Sequence, residues 1–336
     1  MSARTYTVSR SEAGWTVAEY LRVRLKTSPG QARRLVHDRR VRLAGSPCTN
    51  PAWRLRAGQR VEVLPAAPPR PRQTRDGAPR REQPARGPRP VLRFVDEHVV
   101  VVEKPAGLTT MRHAEDVAEH GPRAKRFLPP TLADQLPGLL AAATGRPAGR
   151  VRAVHRLDRE TSGLVVFART TQAERNLGGQ FRAHTTERLY LALARGQAAP
   201  ARIESWLVRD RGDGRRGSAP AGESPPPGGQ HAVTHVRVLE ELGRFSLVEC
   251  RLETGRTHQV RIHLGEAGTP LCGERLYDRP PHGRPHPDGS GLARVALHAA
   301  TLGFDHPATG ERVRWTSPLP ADLAGLLDRL RTENRP

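Results

Sequence analysis

The residues best suited to chemistry fall in the stretch 153–168, Ala-Val-His-Arg-Leu-Asp-Arg-Glu-Thr-Ser-Gly-Leu-Val-Val-Phe-Ala. Its first part, 155–163, is dense in charges and hydroxyls and ends in Ser-Gly, the composition of a loop or tight turn. Its second part, 164–168, is a short apolar run rich in β-branched residues and reads as a buried strand. A polar loop braced by a buried strand is a good mount for one reactive side chain. Asp158 is the candidate, because Arg156 and Arg159 flank it and nearby cations favour an ionised carboxylate. The same spacing suits a plain turn, with Thr161 and Ser162 bonding the local backbone.

Three further stretches carry chemistry-bearing side chains. Residues 253–263, Glu-Thr-Gly-Arg-Thr-His-Gln-Val-Arg-Ile-His, crowd Arg256, His258, Arg261 and His263 together. Val260, Ile262 and Leu264 suit either a strand or a helix, and Thr257 could cap a helix whose inner face carries Arg261. In 189–194, Tyr190 falls on the opposite strand face from Leu189, Leu191 and Leu193 and need not be simple core filling. Lys104-Pro105-Ala106-Gly107 ends an apolar run and reads as a strand-ending turn. With Asp158 in reach, His155 or His258 could also serve acid–base cleavage by a His/Asp pair.

His-Arg-Leu-Asp-x-x-Thr-Ser-Gly-Leu over 155–164 resembles the active-site signature of the RluA family of RNA pseudouridine synthases. Thr-Gly-Arg-Thr-His-Gln-Val-Arg-Ile-His over 254–263 is similar to that family's third motif, and Lys104 to Gly107 to its Lys-Pro-x-Gly motif beside the cleft. Residues 297–310 resemble its closing segment, so the likeness covers about 91–325. It implies an α+β catalytic domain with a mixed, mainly antiparallel sheet crossed by a cleft. Asp158 would be the catalytic carboxylate, Arg261 its ion-pair partner, and Tyr190 the ring stacked on the target base and the proton-transfer group. Arg156 would fill the stack left by a flipped base, with His155, Lys104, Arg256 and His258 as further substrate-binding residues. The implied reaction breaks a C–N glycosidic bond, turns the uracil and joins its C5 to the ribose. It loses no group and changes no oxidation state, so neither metal nor cofactor is expected. Residues 111–130 depart from the family pattern, and no functional residue is expected there.

The elements that must hold these residues are legible in outline. Residues 1–64 carry thirteen basic and four acidic side chains. Helical spacing over 15–25, a second helix start at Ser28-Pro29-Gly30-Gln31, and strands at 41–43 and 61–63 complete this small module. It resembles an S-four-type RNA-binding domain, with Arg33, Arg34, Arg39 and Arg40 as candidate phosphate contacts. Residues 65–90 hold eight prolines and seven arginines and no apolar period, the composition of a linker. From 91 to 332 the chain turns globular. Strands are expected at 91–95, 99–102, 164–168, 189–194, 233–239 and 245–252, and helices at 131–143, 171–183 and 320–332. Residues 209–230 read as a Gly, Pro and Arg-rich loop.

Composition agrees with a polyanionic partner. The net charge is +21, from 55 basic and 34 acidic residues. The expected partner is RNA, ribosomal RNA ahead of transfer RNA. A monomer is expected, and a reducing cytoplasm, the latter because Cys48, Cys250 and Cys272 offer neither an even disulfide set nor metal spacing. No apolar run has the length of a signal peptide or membrane span, so no membrane partner is expected. A non-catalytic RNA-binding or ribosome-assembly protein on the same fold is the alternative class.

Overall fold

The computed structural model describes residues 4–38, 40–48, 50–51, 53–65, 89–112, 128–220, 225–279 and 283–334. Arg39, the side chain of Arg33, and most of 65–90 and 111–130 lie outside the described residues. The chain divides into two compact units.

In the first unit, β1 (Arg4–Thr7) precedes two short helices, α1 (Val17–Leu25) and α2 (Pro29–His37). Each begins with a reciprocal cap. Thr16 accepts the Glu19 N–H while Glu19 returns to the Thr16 N–H, and Ser28 and Gln31 repeat the exchange. Strands β2 (Val41–Leu43), β3 (Ser46–Pro47) and β4 (Arg60–Val63) follow, giving an antiparallel sheet in the order β1-β4-β2-β3. Val17, Tyr20, Leu21, Ala32, Val36 and Val61 close its core. Arg34 is exposed on α2. Arg40 is not a free phosphate contact, because its Nε and Nη2 both donate to the Leu64 carbonyl at 3.1 and 2.9 Å and tie the unit's end down.

The second unit opens with the hairpin β5 (Val91–Val95) and β6 (Val99–Lys104), then α3 (Leu132–Thr144), β7 (Arg152–Ala153), β8 (Ser162–Ala168) and α4 (Thr171–Arg182). Strands β9 (Glu187–Arg195), β10 (Ala201–Val208), β11 (Gly217–Ser218), β12 (Gln230–Leu242) and β13 (Phe245–Leu252) precede helix α5 (Gln259–Glu266). Strands β14 (Leu297–Asp305) and β15 (Arg312–Thr316) and helix α6 (Ala321–Glu333) complete it. The sheet runs β11-β10-β12-β13-β9-β14-β8-β6-β5, with β15 on β14 and β7 on β8. Among the described strands, β8 and β14 alone pair in parallel; the rest is antiparallel. This is a mixed, mainly antiparallel α+β fold.

Burial explains why 164–168 is continuously apolar. Val165 and Phe167 join the core that holds Leu132, Leu136 and Leu140 of α3, while Leu164 and Val166 join the one that holds Leu177 of α4. Both faces of β8 are covered, so alternation disappears. Gly163 has φ +116, and a Cβ there would lie 2.3 Å from the Ala299 carbonyl oxygen, so only glycine lets β14 approach. Within the loop read at 209–230, buried Arg211 pairs with Asp213 at 3.0 Å and with Glu266 of α5 at 2.8 Å, which anchors it.

Candidate active site

Asp158 lies in the loop between β7 and β8, and the residues on either side of it are clamped. Thr110 Oγ1 donates to the Leu157 carbonyl at 2.8 Å and accepts the Leu157 N–H at 3.1 Å. The Arg159 carbonyl accepts the Gly107 N–H at 2.8 Å and the Lys104 ammonium at 3.1 Å. The Asp158 carbonyl closes the turn by accepting the Thr161 N–H at 3.2 Å. The backbone of Asp158 therefore makes the turn while its carboxylate lines a cleft of about 380 Å³, a volume in the small-molecule range. The hydroxyls expected to bond locally do not: Thr161 Oγ1 is buried without a hydrogen bond, and Ser162 Oγ meets His298 Nδ1 at 2.9 Å.

Two of the expected cations point elsewhere. Lys104 is fully buried, and its Nζ donates to the carbonyls of Pro105, Leu108 and Arg159 at 3.0, 2.8 and 3.1 Å. Burial pushes its pKa down to about 7, against the charges of Asp158 and Glu160. With its donors spent on the backbone, it is a strut beneath the loop and not a substrate contact. Arg159 is 69% exposed and donates from Nε to the Gly107 carbonyl. It does not line the cleft.

The cleft brings Asp158, Tyr190 and Arg261 together with His155, Arg156, Arg256 and His258. Arg261 Nη1 stands 3.7 Å from Asp158 Oδ2, a long ion pair. Its closer partner is Glu274, which accepts from Nε and Nη2 at 2.6 and 2.9 Å. Glu274 also accepts the backbone N–H groups of Arg275, Leu276 and Tyr277. Burial opposes its ionisation, yet the hydrogen bond and charge of Arg261 hold its pKa below the usual carboxylate range. The Tyr277 ring lies 5.3 Å from the Arg261 guanidinium carbon, and its hydroxyl is 2.7 Å from His258 Nδ1. Residues 274–277 thus hold both Arg261 and His258.

Helix α5 does not start from a Thr257 cap. It starts from His258, whose φ of 61 is left-handed and whose side chain caps nothing. The buried Gln259 side chain organises the turn, accepting from Thr254 Oγ1 and the Arg256 N–H and donating to Val233 and Thr234. His258 Nε2 is 3.9 Å from Asp158 Oδ2, and burial lowers its pKa. Arg256 donates from Nε to the His231 carbonyl at 2.9 Å. His155 Nε2 accepts the Val166 N–H at 3.0 Å, and its ring stacks on Phe181 at 4.4 Å. Burial pushes its pKa down to about 3, with Arg188 adding to the effect. A neutral imidazole with its acceptor nitrogen occupied is a bracket, which removes His155 as an acid–base group.

Tyr190 is both core and cleft. It packs with Val236 and Leu252 in the main core and still lines the cavity. Burial raises its pKa to about 12, with Arg188 opposing and Asp158 reinforcing the rise. The residues that sequence reasoning missed are Thr110, Arg188, Glu274 and Tyr277. For Arg188 the signal was present: it lies two residues before Tyr190, hence on the same strand face. No spacing marked Glu274.

Residues 98–266 match the family model described as RNA pseudouridylate synthase. The chain is 39% identical over 250 residues to ribosomal large subunit pseudouridine synthase D of Neisseria meningitidis serogroup A, covering 71% of this chain and 61% of that protein. It therefore spans less than two thirds of that relative's length. The protein of the same name from Zymomonas mobilis is 37% identical over 245 residues, covering 72% of this chain and 73% of the relative. The solved structure of human RNA pseudouridylate synthase domain containing 4 superposes with a TM-score of 0.56 at 25% identity, over 71% of this chain and 92% of that one.

Proposed function

The chain belongs to the RNA pseudouridylate synthase family, and from that premise we propose that it isomerises uridine to pseudouridine in structured RNA, with large-subunit ribosomal RNA as substrate. The observation that carries the reading is the convergence of Asp158, Tyr190 and Arg261 on one cleft. An RNA-binding protein without catalysis has no need of a carboxylate fixed from both sides at the floor of a cavity. The substrate class is supported by the names of the Neisseria and Zymomonas relatives, both assigned to the large ribosomal subunit. Transfer RNA is the alternative substrate.

In this reading Asp158 either attacks C1′ or takes the proton from C2′ as the glycosidic bond breaks. The Thr110 and Lys104 clamps keep its position fixed, so little reorganisation is needed at the moment of reaction. Arg261, shared between Glu274 and Asp158, orients the carboxylate. Tyr190 covers the base. With a pKa near 12 its phenol rests protonated, so it can pass on the C5 proton only if its own proton has an acceptor. Extruding a base from a folded RNA costs roughly a few kcal/mol. Arg156 at the cleft fills the vacated stack, and the basic first unit, read as an RNA-binding module of S-four type, offsets the cost through phosphate contacts.

The test is incubation of the protein, and of Asp158→Asn, with an unmodified large-subunit ribosomal RNA transcript, followed by mapping of pseudouridine. The wild type is expected to convert uridine without cutting the strand, and the variant to bind RNA and make no product. Full activity in Asp158→Asn, or strand cleavage by the wild type, refutes the reading.

A further inference from the structure

Arg188 is a buried cation at the cleft wall. It is 6% exposed, yet it lines the same cleft as Asp158 and Tyr190. Among the described residues no carboxylate lies in ion-pair range of it. Its Nη2 donates to the carbonyls of Glu253 and Leu252 at 2.7 and 3.5 Å, and its guanidinium rests 5.6 Å from the centre of the Phe181 ring. Its Nε is buried with no hydrogen-bond partner among the described residues. The contrast with Arg195, on the same strand and equally buried, is informative. Arg195 gives Nε, Nη1 and Nη2 to the carbonyls of Leu271, His286 and Glu274. The fold can satisfy a buried guanidinium, and at 188 it does not.

The end of the Arg188 side chain also has space kept for it. A Cβ on residue 255 would lie 2.5 Å from Arg188 Nη1, so Gly255 makes room for that nitrogen. A desolvated cation with spare donors costs folding free energy. Such a cost, borne at the wall of a cleft, is the mark of a group whose partner arrives with the substrate.

The proposed reaction supplies such a partner. When the C1′–N1 bond breaks, its electron pair stays on N1 and spreads to the uracil O2. If Asp158 bonds to C1′, the carboxylate's negative charge passes to the base. If Asp158 takes the C2′ proton, the C–H electrons form a C1′–C2′ double bond and the base again leaves with one negative charge. The charge returns to Asp158 when C5 bonds to C1′: on the first route the C1′–O bond to the carboxylate breaks, on the second Asp158 gives its proton back to C2′, and the C5 proton then moves to N1 through a base. We propose that Arg188 is a catalytic residue that holds the detached uracil anion, its Nη1 group, beside the cleft-lining Gly255, donating to a base oxygen while the ring turns. A phosphate is the poorer candidate, because Arg188 shares its strand face with the residue that covers the base and lies deep against Leu252 and Phe181. The proposal rests on the isomerase reading and holds for either route taken by Asp158.

The experiment measures single-turnover conversion of a large-subunit ribosomal RNA transcript, and of the same transcript made with 5-fluorouridine, whose base leaves more readily as an anion. Consumption of the target nucleoside is read by digestion and mass spectrometry. Arg188→Met is expected to slow uridine conversion by about 10² to 10³-fold, as for loss of one donor aimed at developing charge. Its RNA affinity and salt dependence should stay those of the wild type, and its deficit should shrink by about tenfold or more with 5-fluorouridine. Arg188→Lys, which keeps the charge, should recover most of the rate. Equal deficits on both transcripts overturn the proposal. So does an unchanged rate with weaker binding and a shallower salt slope, which would mark a phosphate contact. If Arg188→Met fails to fold by circular dichroism, Arg188→Gln carries the same two-transcript comparison. A wild type that leaves uridine unchanged refutes the isomerase reading instead, before any variant is compared.

Discussion

Arg261 is held by Glu274 at 2.6 Å and reaches Asp158 only at 3.7 Å. The arginine is therefore positioned from behind, by a carboxylate with no exposed side-chain surface. Glu274→Gln leaves Arg261 buried without its close charge partner, which costs about 3 kcal/mol on the scale of broken buried pairs. The expected outcome is a lower melting temperature at pH 7 and a kcat reduced about tenfold or more, with RNA affinity little changed. The sign with pH follows from the depressed pKa of Glu274. The stability it contributes is present above the ordinary carboxylate range and lost as pH falls through its own lower pKa. The gap between wild type and variant should close on acidification; thermal melts from neutral to acid pH test this.

Tyr190, with its pKa raised to about 12 by burial, stays protonated across neutral and mildly alkaline pH. The single-turnover rate should show no Tyr190 limb from about pH 7 to about pH 9.5. Tyr190→Phe should keep most of the rate if the ring's role is to cover the base, whereas Tyr190→Leu should lose far more. A rise near pH 10 that Tyr190→Phe abolishes would instead identify the phenolate as the working base.

Lys104→Met removes the donor that three carbonyls share. Each buried acceptor left unpaired costs about 1–3 kcal/mol, partly offset because a charge is no longer buried. We expect a net loss of about 2 kcal/mol in denaturant unfolding, a lower kcat from the loosened Arg159 peptide, and unchanged affinity for RNA. A pure loss of affinity would mean that the ammonium meets substrate after all.

Arg34 is exposed on α2, so Arg34→Glu should weaken RNA binding and reduce the salt slope by about 1 for each phosphate that the side chain no longer neutralises. The rate at saturating protein should not change. Arg40→Ala should act differently, lowering the stability of the first unit by freeing the Leu64 carbonyl. Titrations at several salt concentrations and melts of both variants separate the two roles.

What was legible from the sequence was local. The apolar run at 164–168, the capping pair Ser28 and Gln31, and the helical spacing over 132–140 each encode their element within a few residues, and the structure has those elements. What was illegible depends on distant partners. Nothing near Lys104 says that carbonyls 4 and 55 residues away will surround its amine. Arg159 is as charged as Arg156, but the turn directs it to solvent. Thr257 has the chemistry of a cap, yet the four bonds made by the Gln259 side chain fix a different entry to the helix. Glu274 sits in a segment with no periodicity, and only its pairing with Arg261 gives it meaning.

Strand β14 lies between β9, which carries Tyr190, and β8, which follows Asp158. The two walls of the cleft therefore share no ladder of their own and are joined by residues 297–305, more than a hundred positions later. During synthesis, the polypeptide emerging from a ribosome would have no assembled cleft, and on the proposed reading no activity, until that late segment is threaded between its neighbours.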